Sequence, residues 1–167
     1  MKEDISQKAY EVLGENPTLP IPVESIVAKK SVRLLPFDLG ENISGILVIE
    51  KGEATIGYNK NEHRVRNRFT IAHELGHFIL HKEKDLFVDK EFKVMFRGAI
   101  NNNQNYKEEM EANEFAANLL MPEKLLKEEV MKMDLDFTDE AAIKHLAKKF
   151  DVSTTAMSFR IANLQLF

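Results

Sequence analysis

The sequence predicts an α+β protein: two helices, a small antiparallel sheet, then a long helix and further helices towards the C-terminus. Three observations lead there. Apolar residues recur with helical spacing in the first 30 residues, cluster as in strands between residues 32 and 59, and return to helical spacing from Asn67 onward. The tetrapeptide "EKGE" separates two β-rich runs as a hairpin turn does. A chain of 167 residues, 44% apolar and 30% charged, has the size and balance of one globular domain, or of one domain with a small appendage.

Taken in order, Ile5, Ala9, Val12 and Leu13 fall on one face of a first helix, which Gly14 and "ENPTLP" end. A second, short helix covers "VESIVAKK", with Pro22 near its start, where a missing N–H costs nothing. "VRLLPFDL", "ISGILVIE" and "EATIGYN" read as strands, the last as a candidate sheet edge open to an added strand. The helical period then runs from Asn67 through about Lys82. Residues 83–106 are polar and irregular and predict a long loop, of the length that is often functional. A helix over "KEEMEANEFAANLLM" follows and stops at Pro122. The remainder is helical, with Thr138 and Ser153 as N-caps. The division expected from this is a core over residues 1–123 and a helical segment, 124–167, packed on it.

Composition narrows the chemistry. There is no cysteine, so disulfides and thiolate metal sites are excluded, and His, Asp and Glu are the strong ligands that remain. A net charge of −4 argues against a general nucleic-acid binder. "MKEDISQKAYEV" has no apolar core of a signal peptide, and no run approaches the ~18 apolar residues of a membrane span, so a cytoplasmic location is expected.

The stretch "FTIAHELGHFILH" (69–81) sets three histidines and a glutamate into an apolar run. Residues four apart share a helix face, so His73 and His77 can direct both imidazoles at one ion. Glu74, beside the first of them, can reach water at that ion without binding it: this is the HExxH arrangement, in which zinc acidifies water and polarises a carbonyl while the glutamate moves the proton. The competing reading is a core helix with two satisfied histidines. Ile71, Ala72, Leu75, Phe78, Ile79 and Leu80 make the helix apolar on most faces, and buried histidines and a carboxylate at this spacing are costly without partners. A metal supplies the partner. For a third ligand, His63 lies too close upstream, and His81 continues the same face, where three ligands along one helix cannot converge tetrahedrally; His81 is expected to support or pack. The carboxylates of the later helix, Glu108, Glu109, Glu111 and Glu114, are the better source, and periodicity leaves them unresolved.

"RFTIAHELGHFILH" followed by "EEMEANEFAANLLMP" resembles the ImmA/IrrE family of metallo-endopeptidases. The similarity extends to the strands before the helix, to Phe87, Val88, Asp89, Phe96 and Arg97, and to "LAKKFDVSTTAMSFRIANL", so it covers nearly the whole chain. It implies a minimal gluzincin fold, in which a small mixed sheet packs on the HExxH active-site helix and a ligand helix lies against that helix, together with a zinc ion and a third ligand from an E-x-x-A-(D/N) motif. Glu109 with Ala112 and Asn113 matches that motif, which implies Glu109 as ligand with Asn113 supporting it and Glu111 as the fallback. The resemblance also implies a protein substrate, a repressor of the helix-turn-helix type from a mobile element or stress regulon. Tyr106 and Arg97 are candidate oxyanion stabilisers, and Arg68 reads as structural. A rival reading takes "HLAKKFDVSTTAMSFRI" as a helix-turn-helix, with Lys148, Lys149 and Arg160 as its cations, in a zinc-containing DNA-binding or sensor protein that regulates transcription without proteolysis. A structural zinc is normally closed by four protein ligands. Three candidates and no cysteine favour an open, catalytic site, and a packing role for those helices is expected.

Overall fold

The computed structural model describes residues 2–81, 85–90, 103–133 and 139–166. Its elements are α1 (Lys2–Leu13), α2 (Val23–Lys29), β1 (Arg33–Phe37), β2 (Ile43–Glu50), β3 (Glu53–Asn59), α3 (Arg64–Leu80), β4 (Leu86–Lys90), α4 (Asn103–Leu120), α5 (Glu123–Met131), α6 (Asp139–Phe150) and α7 (Thr154–Leu164). This is the α+β architecture that the change of period predicts.

The sheet is mixed, in the order β1-β3-β2-β4. β2 and β3 form the antiparallel hairpin marked by "EKGE", and its turn places Lys51 and Gly52 at positive φ, a conformation glycine adopts without cost. β1 runs parallel to β3 on its other side, and β4 pairs antiparallel with β2. Two expectations are corrected here. β3 is interior, so "EATIGYN" offers no free edge; the edges are β1 and β4. Periodicity marks strands but not their lateral order, which depends on where the chain returns. The predicted loop over residues 83–106 contains β4 and the first turn of α4. In β4 Phe87 is buried between exposed Leu86 and Val88, but three apolar residues in a row, bounded by Asp85 and Asp89, give no alternation in the sequence and are a weak signal.

α3 crosses one face of the sheet and α4 packs against α3. Leu47 and Ile56 from the sheet, Ile71 and Leu75 from α3, and Phe115 and Leu119 from α4 belong to one buried cluster. α1 packs on α4 through the same core, to which Ile5 and Ala9 contribute. Leu146 and Phe150 of α6 and Met157 and Ile161 of α7 join it as well.

Two buried arginines tie the distant parts of the chain together. Arg68 of α3 donates to the carbonyls of Ile21 (2.8 Å) and Asp151 (3.1 Å), and its Nε lies 3.1 Å from Asp151 Oδ2. Arg160 of α7 donates to the Met121 carbonyl (3.0 Å) and to Asn118 Oδ1 (2.9 Å). Ser153 caps α7, accepting from the Ala156 N–H at 3.0 Å. Thr138 and Arg97 lie outside the described residues. Of the three cations that a helix-turn-helix reading needs, Arg160 is buried and Lys149 is paired with Glu129.

Candidate metal centre

The centre is built on α3. His63 caps the helix, its ring accepting from the Val65 N–H at 3.4 Å, and so is used at the helix start rather than in the site. Apolar neighbours on nearly every face bury the helix, and Thr70 through His77 are all inaccessible to solvent. His73 and His77 stand one turn apart with rings edge to face, and their Nε2 atoms approach to 3.1 Å.

α4 brings the third group. Glu109 Oε2 lies 3.1 Å from His73 Nε2, and Glu109 Oε1 lies 3.2 Å from His77 Nε2. Two imidazole nitrogens and a carboxylate thus make a triangular group: the nitrogens are 3.1 Å apart and each faces a different Glu109 oxygen, Oε2 at 3.1 Å and Oε1 at 3.2 Å. A tetrahedral ion with ligand bonds of ~2.0–2.1 Å has ligand–ligand edges of about 3.3–3.4 Å, so the donor set and its spacing fit a zinc-like ion. Among the described residues, this is the group of histidines and carboxylates that could hold a metal. Glu108, Glu111 and Glu114 are not in it.

The surrounding residues order the protons. His73 Nδ1 lies 2.9 Å from Asn113 Oδ1, an acceptor, so this ring carries its proton on Nδ1. His77 Nδ1 meets His81 Nδ1 at 3.1 Å, and His81 Nε2 meets Glu111 Oε2 at 3.0 Å. The Glu111 carboxylate accepts from His81 Nε2–H, which leaves His81 Nδ1 to accept from His77 Nδ1–H. Both site histidines are then left with an Nε2 lone pair at the triangle, the arrangement that partners behind a metal-binding histidine produce. Phe87 of β4 stacks on the His77 ring at 4.3 Å between centroids. Burial lowers the His77 pKa, against the opposing effect of the Glu109 carboxylate as an acceptor, and this favours the neutral, ligating form. Without a metal and with the Nε2 atoms protonated, burial alone would raise the Glu109 pKa, but hydrogen bonds and charge from His73 and His77 outweigh it and hold it at about 2.

Glu74 is completely buried next to His73, on the side of α3 that faces the sheet. It rests on Gly45 of β2, where a Cβ would come within 2.9 Å of Glu74 Oε1 and 2.4 Å of Thr70 Cγ2. Glycine is thus needed at residue 45 for the strand to approach Glu74 so closely. Tyr106 sits near the start of α4 with more than half its surface exposed. Sequence reasoning did not single out Gly45 or the ring of Phe87 against His77. It weighed His81 and Glu111 separately and missed their pairing, for which the one available signal was a second histidine four residues after His77.

Comparison with known proteins bears on the same residues. A family model described as the IrrE N-terminal-like domain, Peptidase M78, matches residues 27–162. The chain is 27% identical over 140 residues to Metallopeptidase ImmA of Bacillus subtilis (strain 168), covering 83% of this chain and 73% of that protein. It is 31% identical over 93 residues to uncharacterized immunity region protein 2 of Bacillus phage phi105, covering 56% of this chain and 54% of the relative. Among solved structures, a Mycobacterium tuberculosis transcriptional regulator has a similar fold, with TM-score 0.60 at 12% identity, over 96% of this chain and 46% of that one. The chain therefore spans about half the length of the phage relative and of the solved regulator.

Proposed function

This chain belongs to the IrrE N-terminal-like family, Peptidase M78, a metallopeptidase family, and from that membership we propose that it is a zinc-dependent endopeptidase of the HExxH type that cuts a partner protein. The observation that carries the proposal is the triangle of His73, His77 and Glu109, three donors on two helices with separations suited to one tetrahedral ion. These three residues would hold the zinc. When bound, the ion supplies Lewis acidity, polarising the scissile carbonyl and lowering the pKa of water. Glu74 is the proton carrier: its carboxylate takes a proton from the attacking water and delivers it to the leaving amine nitrogen. Asn113 and the His81–Glu111 pair keep the two imidazoles in the ligating tautomer.

The proposed substrate is a transcriptional repressor of the helix-turn-helix type. Two things support it: the family resemblance of the two motifs, and a phage relative whose name assigns it to an immunity region. No described helix is long and apolar enough to cross a membrane, and action on a repressor would place the protein in the cytoplasm.

The test is Glu74→Gln. The variant is expected to keep its zinc, measured by native mass spectrometry, and to lose about 10²–10⁴-fold in the rate of cleavage of the repressor. Cleavage at the wild-type rate by the zinc-loaded variant would show the proton-transfer assignment to be wrong.

A further inference from the structure

The metal centre opens at one end onto a cavity of about 450 Å³ between α3, α4 and α7, within the ~300–1,000 Å³ range of sites that hold small ligands. We propose that this cavity is the subsite for a bulky apolar side chain beside the scissile bond of the polypeptide substrate, an inference that rests on the peptidase reading above.

Three helical stripes converge on it. α3 contributes Val65, Phe69 and His73; α4 contributes Glu109, Asn113 and Ala117; α7 contributes Ala156, Phe159 and Asn163, all spaced three or four residues apart and so on one face of each helix. His73 and Glu109 belong both to the triangle and to the cavity wall, so the pocket is continuous with the place where the bond would be cut. Most of the surface that the lining exposes is apolar, although Ser153 and Thr155 also contribute to it, and the small side chains of Ala117 and Ala156 leave room.

Charge at the cavity argues for an apolar occupant. Two arginines line it, and both guanidinium groups are engaged elsewhere: Arg160 with the Met121 carbonyl and Asn118, Arg66 with Ser44 Oγ at 3.1 Å. Phe159 forms part of the wall with 68% of its surface exposed, while Met157, Arg160 and Ile161 of the same helix are buried. An apolar side chain lodged against that ring would remove water from it.

Because the proposed substrate is not identified, the probes are two hydroxamic acids that share the metal-binding group, acetohydroxamate and hydrocinnamohydroxamate, titrated calorimetrically into the zinc-loaded protein. The phenyl-bearing probe is expected to bind about tenfold more tightly or better than the methyl-bearing one. Ala156→Phe, which fills the cavity, should remove that gain and leave acetohydroxamate binding unchanged. Phe159→Ala, at an exposed position, should reduce the gain severalfold. An equal affinity of the two probes, or a gain that survives both substitutions, overturns the subsite while leaving the metal centre standing. Failure of acetohydroxamate itself to bind would overturn the metal-centre reading, and the subsite with it.

Discussion

Gly76, between the two site histidines, lies directly against Ala112 and Phe115 of α4, and Gly76→Ala tests whether that contact sets the position of Glu109. A Cβ at residue 76 would lie 3.2 Å from both the Cα and the carbonyl oxygen of Ala112, and 3.1 Å from Phe115 Cδ1. Ordinary contacts begin near 3.4 Å, so the neighbours must yield by a few tenths of an ångström. Phe115 is fully buried and Ala112 contributes backbone, so the yielding unit is α4 itself. Against this, alanine in a helix interior gains about 0.5–1 kcal/mol over glycine, while overpacking a filled core costs about 1–3 kcal/mol. The net expectation is a destabilisation of about 0.5–2 kcal/mol. The effect on the metal should be larger in proportion, because Glu109 lies one turn before Ala112 and holds both histidines at 3.1–3.2 Å. Urea unfolding of the metal-free protein and zinc competition against a chelator separate the two quantities. A Gly76→Ala protein as stable as the wild type, with unchanged zinc affinity, would refute the reasoning.

Other outcomes follow from the same geometry. His81→Ala and Glu111→Gln should each weaken zinc binding by about 10–100-fold by releasing the His77 tautomer, with little change in the unfolding of the metal-free protein; wild-type affinity in both would remove that pair from the site. Asp151→Asn keeps a residue type that tolerates its positive φ of 57° but leaves buried Arg68 without its closest carboxylate. The expected loss is about 3 kcal/mol, at the low end for a broken buried pair because two carbonyls still accept from Arg68. For pH, hydrogen bonds from Lys132 and Lys149 lower the Glu129 pKa. Protonation is therefore favoured in the unfolded chain, and the stabilisation is present above the ordinary carboxylate range and lost as pH falls through the folded-state value. Glu129→Gln should flatten the acid limb of the stability–pH profile, and an unchanged limb would count against that pairing.

His73, Glu74 and His77 were legible as a set because their relation is local: a helix places residues i, i+1 and i+4 without reference to the rest of the chain. The apolar residues around them likewise announced a buried helix, and the exclusion of His81 from the triangle followed from helix geometry. Glu109 was of another kind. Four carboxylates on α4 satisfied the periodicity equally, and only a family motif separated them in the sequence. Periodicity lacked the packing of α4 on α3, a long-range event in which Ala112 and Phe115 lie against Gly76 and Glu109 faces the two histidines. β4 escaped notice because it is a short apolar run, Leu86 to Val88, between charged segments, with Phe87 as its one buried residue, although that ring stacks on His77. β3 was misjudged as an edge because alternation reports which face is buried, not which strands lie on either side.

By itself, the sequence determined the elements, the two-histidine face and the chemistry open to a chain without cysteine, because these depend on composition and on spacing along one helix. Tertiary structure alone decided the strand order, which α4 carboxylate meets the histidines, how His81 and Glu111 back His77, and the cavity walled by α7. Those features join residues far apart in the chain, such as Glu109 and Ala156, and their distances are set by core packing rather than by any local period.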